Sequence, residues 1–207
     1  RGKDGVGATM DHMELEKEKG ITITSACTFC EWETSEGIKT KINIIDTPGY
    51  DDFVGEVISS LKVADTGVML LNARSGVEVG SELIWEYIES FKTPALFAIK
   101  HLDHEKADYD NTLEQAIARF GNKVIPIQYP LAPGRDFNTI IDALRMTLYV
   151  FPKDGGKPTK EAIPAAEMDR AMELHNALVE AAAENDEGLM EKFFEAGTLT
   201  EEELATG

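Results

Sequence analysis

Residues 41–50 constrain the chain most. Lys41, Ile42, Asn43 and Ile44 alternate polar and apolar, Ile45 completes an apolar pair, and Asp46, Thr47, Pro48, Gly49 and Tyr50 follow. The pattern predicts a buried β-strand that ends on an acid and a Thr-Pro-Gly turn. In α/β sheets, ligands gather beyond the carboxyl ends of the strands. An acid at that edge can hold a cation through water, and a glycine there lets a backbone N–H approach a phosphate closely. The plain alternative is a strand that simply ends in a Pro-Gly turn.

The composition is that of a globular chain, with 207 residues, 43% of them hydrophobic and 28% charged. The length suits one large domain or two small ones. A formal net charge of -18 argues against a surface that wraps nucleic acid or binds anionic membranes, and for a basic partner. The charge is uneven: from Glu161 onward, thirteen acids face only Arg170 and Lys192. Cys27 and Cys30, three apart in an expected strand, fall on opposite faces and suit buried reduced thiols better than a disulfide or a metal site. No signal peptide or membrane-spanning run is visible, so a cytoplasmic setting is expected. The chain starts at Arg1 and ends in an acidic helical region, which suggests a piece of a longer protein.

In chain order, residues 1–9 are Gly-rich and read as loose, and 10–20 as a short helix or an exposed loop. Residues 21–32 and 39–46 predict two strands of a hairpin, with a turn at 34–37. Residues 52–62 predict a helix with Phe53, Val57 and Leu61 on one face. Residues 66–73 and 95–100 read as strands buried on both faces, separated by a helix capped by Ser81. A helix over 107–120 ends at Gly121. This alternation predicts a parallel α/β sheet. Beyond it come a strand at 123–129, an apolar-rich stretch at 137–150, and a long helix from about Pro164 to Asn185. That helix carries Asp169, Glu173, Asn176, Glu180 and Glu184 on one face, and Met168, Ala171, His175, Leu178, Val179 and Ala182 on the other. His175 is therefore expected to pack, and the acidic stripe can be a plain solvated face. A short helix at 189–194 precedes Thr200 and Glu203, which fit a capping box.

A strand followed by Asp-x-x-Gly is also the second signature of GTPase-type nucleotide triphosphatases. The phosphate loop G-x-x-x-x-G-K-[ST] is absent. Gly155, Gly156 and Lys157 imitate it, but Pro158 then removes an N–H donor and the metal-binding hydroxyl. Ahead of the strand, the charged run from Glu16 to Lys19 ends in Gly20, Ile21, Thr22, Ile23 and Thr24. Here the chain resembles the translational GTPases, and elongation factor G in particular, whose R-G-I-T-I-T precedes R-I-N-I-I-D-T-P-G. Gly76, Val77, Glu78, Ser81, Glu82 and Trp85 match that family's G-V-E-P-Q-S-E-x-x-W. Residues 138–145 and the acidic helices resemble the subdomain that elongation factor G carries inside its G domain.

The resemblance implies an α/β fold: a partial P-loop GTPase-like, mainly parallel sheet over 1–121, and an α+β inserted subdomain over 122–207. It implies GTP or GDP with Mg²⁺ as cofactors in the whole protein. Thr22 would ligate Mg²⁺, Asp46 would hold it through water, and Ile21 would belong to an apolar gate beside the attacking water. The Gly49 N–H would meet the γ-phosphate, and Asp103 would accept hydrogen bonds from guanine. The phosphate loop would lie upstream of Arg1. Without it most β-phosphate contacts are missing, so this piece alone is expected to hold no nucleotide tightly and to be inactive. The implied partners are the ribosome with its stalk protein, and tRNA and mRNA indirectly; neither a membrane nor sequence-specific DNA is expected.

Two positions depart from the family. Tyr50 stands where the family has the histidine that positions the attacking water, and a phenol cannot supply imidazole chemistry near neutral pH. Slow or absent hydrolysis is expected. The guanine motif N-K-x-D reads Lys100, His101, Leu102, Asp103. Lysine replaces the asparagine that ties guanine to the phosphate loop, and histidine replaces the lysine that stacks on the base. Three readings follow: a GTP-dependent translocation factor; a divergent, non-hydrolysing ribosome-binding paralogue or ribosome-protection protein; and an unrelated α/β nucleotide or redox enzyme. The lack of G-x-G-x-x-G or a catalytic Ser/His/Asp set argues against the last.

Overall fold

In a computed structural model of the chain, residues 10–34 and 37–206 are described. The Gly-rich stretch 1–9 and the centre of the expected 34–37 turn lie outside them. The elements run α1 (Glu14–Lys19), β1 (Ala26–Glu33), β2 (Lys39–Asp46), α2 (Val54–Leu61), β3 (Gly67–Asn72), α3 (Val79–Phe91), β4 (Ala95–Lys100) and α4 (Tyr109–Phe120). Then come β5 (Gln128–Pro130), β6 (Thr139–Asp142), β7 (Thr147–Val150), β8 (Thr159–Glu161), α5 (Met168–Glu184), α6 (Glu187–Ala196) and α7 (Glu201–Thr206). Two compact units are formed, one from Arg1–Met69 with Glu78–Phe97, the other from Leu70–Val77 with Ala98–Gly207.

In the first unit β1 and β2 form an antiparallel hairpin, with Ala26 opposite Asp46 and Glu33 opposite Lys39. The strand expected over 21–32 is shorter at its start. The N–H groups of Ile23 and Thr24 bond to the Glu16 carboxylate, so they are not free to join a ladder. Nor is β2 the buried strand its isoleucines suggest. Ile42 and Ile44 are each 44% exposed, because β2 pairs only with β1 among the described strands and nothing described covers its apolar face. The two cysteines, expected buried, are both free and exposed. A turn of 3₁₀-helix, Asp51–Phe53, leads into α2, whose Val57 and Leu61 are buried. Leu61 and Ile88 of α3 close on Gly67, where a Cβ would lie 3.4 Å from Leu61 Cδ2 and 3.6 Å from Ile88 Cδ1.

β3 and β4 are parallel: Gly67 N–H donates to Pro94 O at one end and Ala73 N–H to Lys100 O at the other. Neither strand is buried on both faces. In β3, Met69 and Leu71 are buried whereas Val68 and Leu70 are exposed, and β4 alternates too. α3 begins at Val79 with Glu78 as its N-cap, one turn earlier than a Ser81 cap would give, and the Ser81 N–H donates to Glu78 O.

The second unit carries a four-stranded antiparallel meander, β5 to β8. The strand expected over 123–129 shrinks to β5, while the apolar-rich 137–150 stretch becomes the β6–β7 hairpin. Tyr109, Tyr129, Ile141, Leu148, Ile163 and Ala171 form its core. Arg170 of α5 lies 4.4 Å from the centre of the Tyr129 ring and 2.5 Å from Asp110 Oδ1 of α4, fixing helix to sheet through a cation–π contact and an ion pair. A second core joins Val179, Ala182 and Ala183 of α5 to Leu189, Leu199 and Leu204. His175 packs as expected, its Nδ1 2.9 Å from Ala143 O. The Thr200–Glu203 capping box forms: Thr200 N–H donates to Glu203 Oε2 at 2.9 Å and Glu203 N–H to Thr200 Oγ1 at 3.3 Å. Asp169, Glu173, Glu180 and Glu184 are exposed.

Candidate functional site

The segment before β1 is held by one side chain. Glu16 is fully buried on α1, and its carboxylate accepts the N–H groups of His12 at 3.1 Å, Met13 at 2.9 Å, Ile23 at 3.0 Å and Thr24 at 3.1 Å. Its backbone oxygen accepts from Gly20 and Ile21, with Gly20 in the left-handed conformation that ends α1. The Ile23, Met13, Thr24 and His12 N–H groups together pull the Glu16 carboxyl down to about 2 against the opposing effect of burial. Thr22 projects from this frame, and its hydroxyl donates to Asp11 Oδ1 at 2.9 Å. Ile21 is half-buried beside it in sequence.

Asp46 ends β2 directly opposite Ala26, so hairpin pairing brings it to the end of the sheet where the 22–25 segment enters. Its side chain is half-buried and takes part in no hydrogen bond or ion pair among the described residues. Pro48 is buried, whereas Gly49 is exposed, and a Cβ at Gly49 would meet no described atom within 4 Å. Packing therefore does not demand this glycine, which leaves its backbone open to a ligand. Tyr50 is 57% exposed and precedes the 3₁₀ turn, its carbonyl accepting the Phe53 N–H.

A hydroxyl and a carboxylate are hard oxygen donors, the kind Mg²⁺ selects, and neither oxygen set is exhausted by protein partners. Thr22 gives its proton to Asp11 and keeps its lone pairs. The residues present thus fit an oxygen-bound, partly hydrated divalent cation. Among the described residues no cluster of His, Cys, Asp and Glu makes an all-protein metal cage.

The second unit holds the expected base-reading residues. Lys100 ends β4, and His101 follows with φ of +63°, a left-handed turn that histidine adopts more readily than most residues other than glycine. Lys100, His101 and Asp103 are all exposed. The turn is fixed by the His104 N–H donating to His101 O, and by the Gly134 N–H donating to Leu102 O at 2.7 Å. Nearby in the same unit, Gly76 sits at φ +73°, and a Cβ there would collide with the Gln115 side chain, whose Oε1 accepts the Val77 N–H at 3.0 Å.

Sequence reasoning missed Glu16, Asp11, Glu56 and Gln115. Glu16 makes half of a capping box by reaching back to the N-cap N–H, but the N-cap is Met13, so the usual Ser/Thr signal is absent. The long-range bonds of Glu56 and Gln115 leave no trace in local pattern.

Comparison with known proteins bears on the fold and the family. A crystal structure of a Thermus thermophilus protein superposes with a TM-score of 0.81 at 29% identity, covering 99% of this chain and 29% of that one. The chain therefore spans less than a third of that relative's length. The fold is α/β and P-loop GTPase-like, and the elongation factor Tu GTP-binding domain matches residues 1–200. With a match over nearly its whole length, this chain belongs to the elongation factor Tu GTP-binding domain family.

Proposed function

We propose that the chain is part of an elongation factor G-like translational GTPase that binds GTP with Mg²⁺ and promotes movement of tRNA and mRNA on the ribosome. Residues 1–121 form part of its G domain and 122–207 an inserted subdomain. The observation that carries this reading is the clasped segment at Thr22, its hydroxyl lone pairs left available, at the same hairpin end as Asp46. In that assignment Thr22 ligates Mg²⁺ and Asp46 holds it through water. The Gly49 N–H meets the γ-phosphate, Ile21 shields the attacking water, and Tyr50 occupies the position beside that water. Bound Mg²⁺ neutralises charge that develops on the β- and γ-phosphates. Asp103 accepts from guanine, with Lys100 and His101 flanking the base. The inserted subdomain meets the stalk protein of the ribosome through its acidic helix, a face that suits basic groups on a partner.

Tyr50 favours a second reading, a ribosome-binding paralogue that does not hydrolyse GTP at a useful rate. Its exposed phenol offers no imidazole chemistry at the turn. Steady-state GTP hydrolysis by the whole protein with ribosomes separates the two. Turnover that Tyr50→Phe abolishes supports the translocation factor and sinks the paralogue. Ribosome binding without turnover does the reverse.

A further inference from the structure

Glu16 belongs to none of the roles above, yet it organises the segment that carries one of them. A carboxylate offers about four lone-pair directions. Those of Glu16 are met by four backbone N–H groups, two from the start of α1 and two from residues just past Thr22. Its own carbonyl takes Gly20 and Ile21. One residue thus accounts for the N–H groups of residues 20, 21, 23 and 24. These bonds fix the flanks of Thr22, and Asp11, only 6% exposed, sets the direction of its hydroxyl. A hydroxyl whose proton is committed to a carboxylate presents lone pairs outward, and outer partners of this kind orient a ligating group and raise its basicity.

We propose that Glu16 and Asp11 are positioning residues for Thr22: Glu16 fixes the backbone on either side of it, and Asp11 turns its hydroxyl into a cation acceptor. The proposal rests on the reading of Thr22 as a Mg²⁺ ligand. Neither acid touches the metal. Each acts through the geometry of the residue that does.

The test uses the whole protein with Glu16→Gln, Asp11→Asn, Thr22→Ala and the Glu16→Gln/Thr22→Ala double variant. Glutamine keeps the side-chain shape but sets an NH₂ against N–H donors. Hydrogen exchange in protein loaded with a non-hydrolysable GTP analogue and Mg²⁺ is expected to rise roughly tenfold at the Ile23 and Thr24 amides in Glu16→Gln, the scale of one lost hydrogen bond. Unchanged exchange there overturns the backbone part. The second measurement is the Mg²⁺ concentration that half-saturates binding of a fluorescent GTP analogue. Thr22→Ala is expected to raise it, and Glu16→Gln and Asp11→Asn to raise it roughly tenfold, the low end for outer partners of metal ligands. In the Thr22→Ala background, Glu16→Gln is expected to add nothing. An equal shift in that background shows Glu16 acting elsewhere and overturns the proposal. If Thr22→Ala shifts the Mg²⁺ requirement while Glu16→Gln and Asp11→Asn do not, positioning alone fails. If Thr22→Ala shifts nothing, the metal-ligand reading fails and takes the proposal with it. Should Glu16→Gln not fold, Asp11→Asn and its double variant with Thr22→Ala carry the same comparison.

Discussion

Glu56 Oε2 accepts the Ser25 N–H at 2.8 Å, across 31 residues of sequence. The bond joins the segment after Thr22 to α2, the helix that follows the turn at 47–50. Ser60 adds to the tie, its Oγ 3.3 Å from the Ser25 hydroxyl. The segment thus has two supports, Glu16 on one side and Glu56 on the other. Glu56→Ala is expected to raise hydrogen exchange at the Ser25 amide roughly tenfold, the equivalent of one ordinary hydrogen bond. Exchange at Ile23 and Thr24, held by Glu16, should stay low. Peptide-resolved exchange reads both, and equal loosening at all three amides would show that the supports are not independent.

Acid should loosen the fold at two places that respond differently to salt. The Ile23 and Met13 N–H groups, with those of Thr24 and His12, hold the Glu16 carboxyl at about 2. Lys192 and then Thr200 hold Glu203 at about 2. Both values lie below the ordinary 4.5, so each group's stabilisation is complete above pH 4.5 and is lost as pH falls toward 2. Thermal unfolding midpoints are expected to fall through that window and to be flat above it. The Glu203–Lys192 pair is partly exposed, and at 1 M salt the screening length is only about 3 Å, so its contribution shrinks. The backbone cradle around Glu16 should persist, visible as continued protection of Ile23 and Thr24 at pH 3.5.

Periodicity made the helices legible. The 3.6-residue repeats in α2 and α5 put Val57, Leu61, Ala171, Val179 and Ala182 inside, where the structure has them. The order of strands and helices was readable through α4, but β6, β7 and β8 were not, because short antiparallel strands leave little periodic signal. Burial of strands was not: the runs at 42–45 and 67–71 read as fully covered, but Ile42, Val68 and Leu70 face outward. A sequence records which residues are apolar, and not whether a covering element is present. The candidate residues Thr22, Asp46, Gly49 and Asp103 stand out in the sequence because their types and spacing are specific. Their supports were not found, because a buried acid facing backbone N–H groups looks, in sequence, like any acid in a charged run.

Gly76 gives a direct test of close packing in the second unit. Its φ of +73° disfavours any Cβ, and a Cβ would also strike the Gln115 amide. Gly76→Ala is expected to destabilise the protein by at least about 1–2 kcal/mol from the left-handed conformation alone. Displacing Gln115 would further cost the Val77 N–H its acceptor. Adding Gln115→Ala should relieve the collision but not the backbone strain. Urea unfolding of the two single variants and the double measures both parts. A double variant as unstable as the sum of the singles would mean that the side chains do not interfere.

The acidic face of α5 separates a binding surface from an ordinary solvated one. Glu173, Glu180 and Glu184 are exposed, share one side of the helix, and have no ion pair among the described residues. Their opposite side is committed to the core through Ala171, Val179 and Ala182. Reversing all three to lysine therefore changes the surface field with little effect on packing. Surface substitutions of this kind usually alter stability by less than about 0.5 kcal/mol. If the stalk protein docks here through basic groups, the triple reversal should slow association and weaken binding by more than about tenfold near 0.05 M salt. The difference should narrow as salt shortens the screening length below about 8 Å. Titration of the purified stalk protein at two salt concentrations gives the answer. Equal affinity for the native and reversed faces at low salt would leave the stripe as solvated surface, and the proposed stalk contact would need another face.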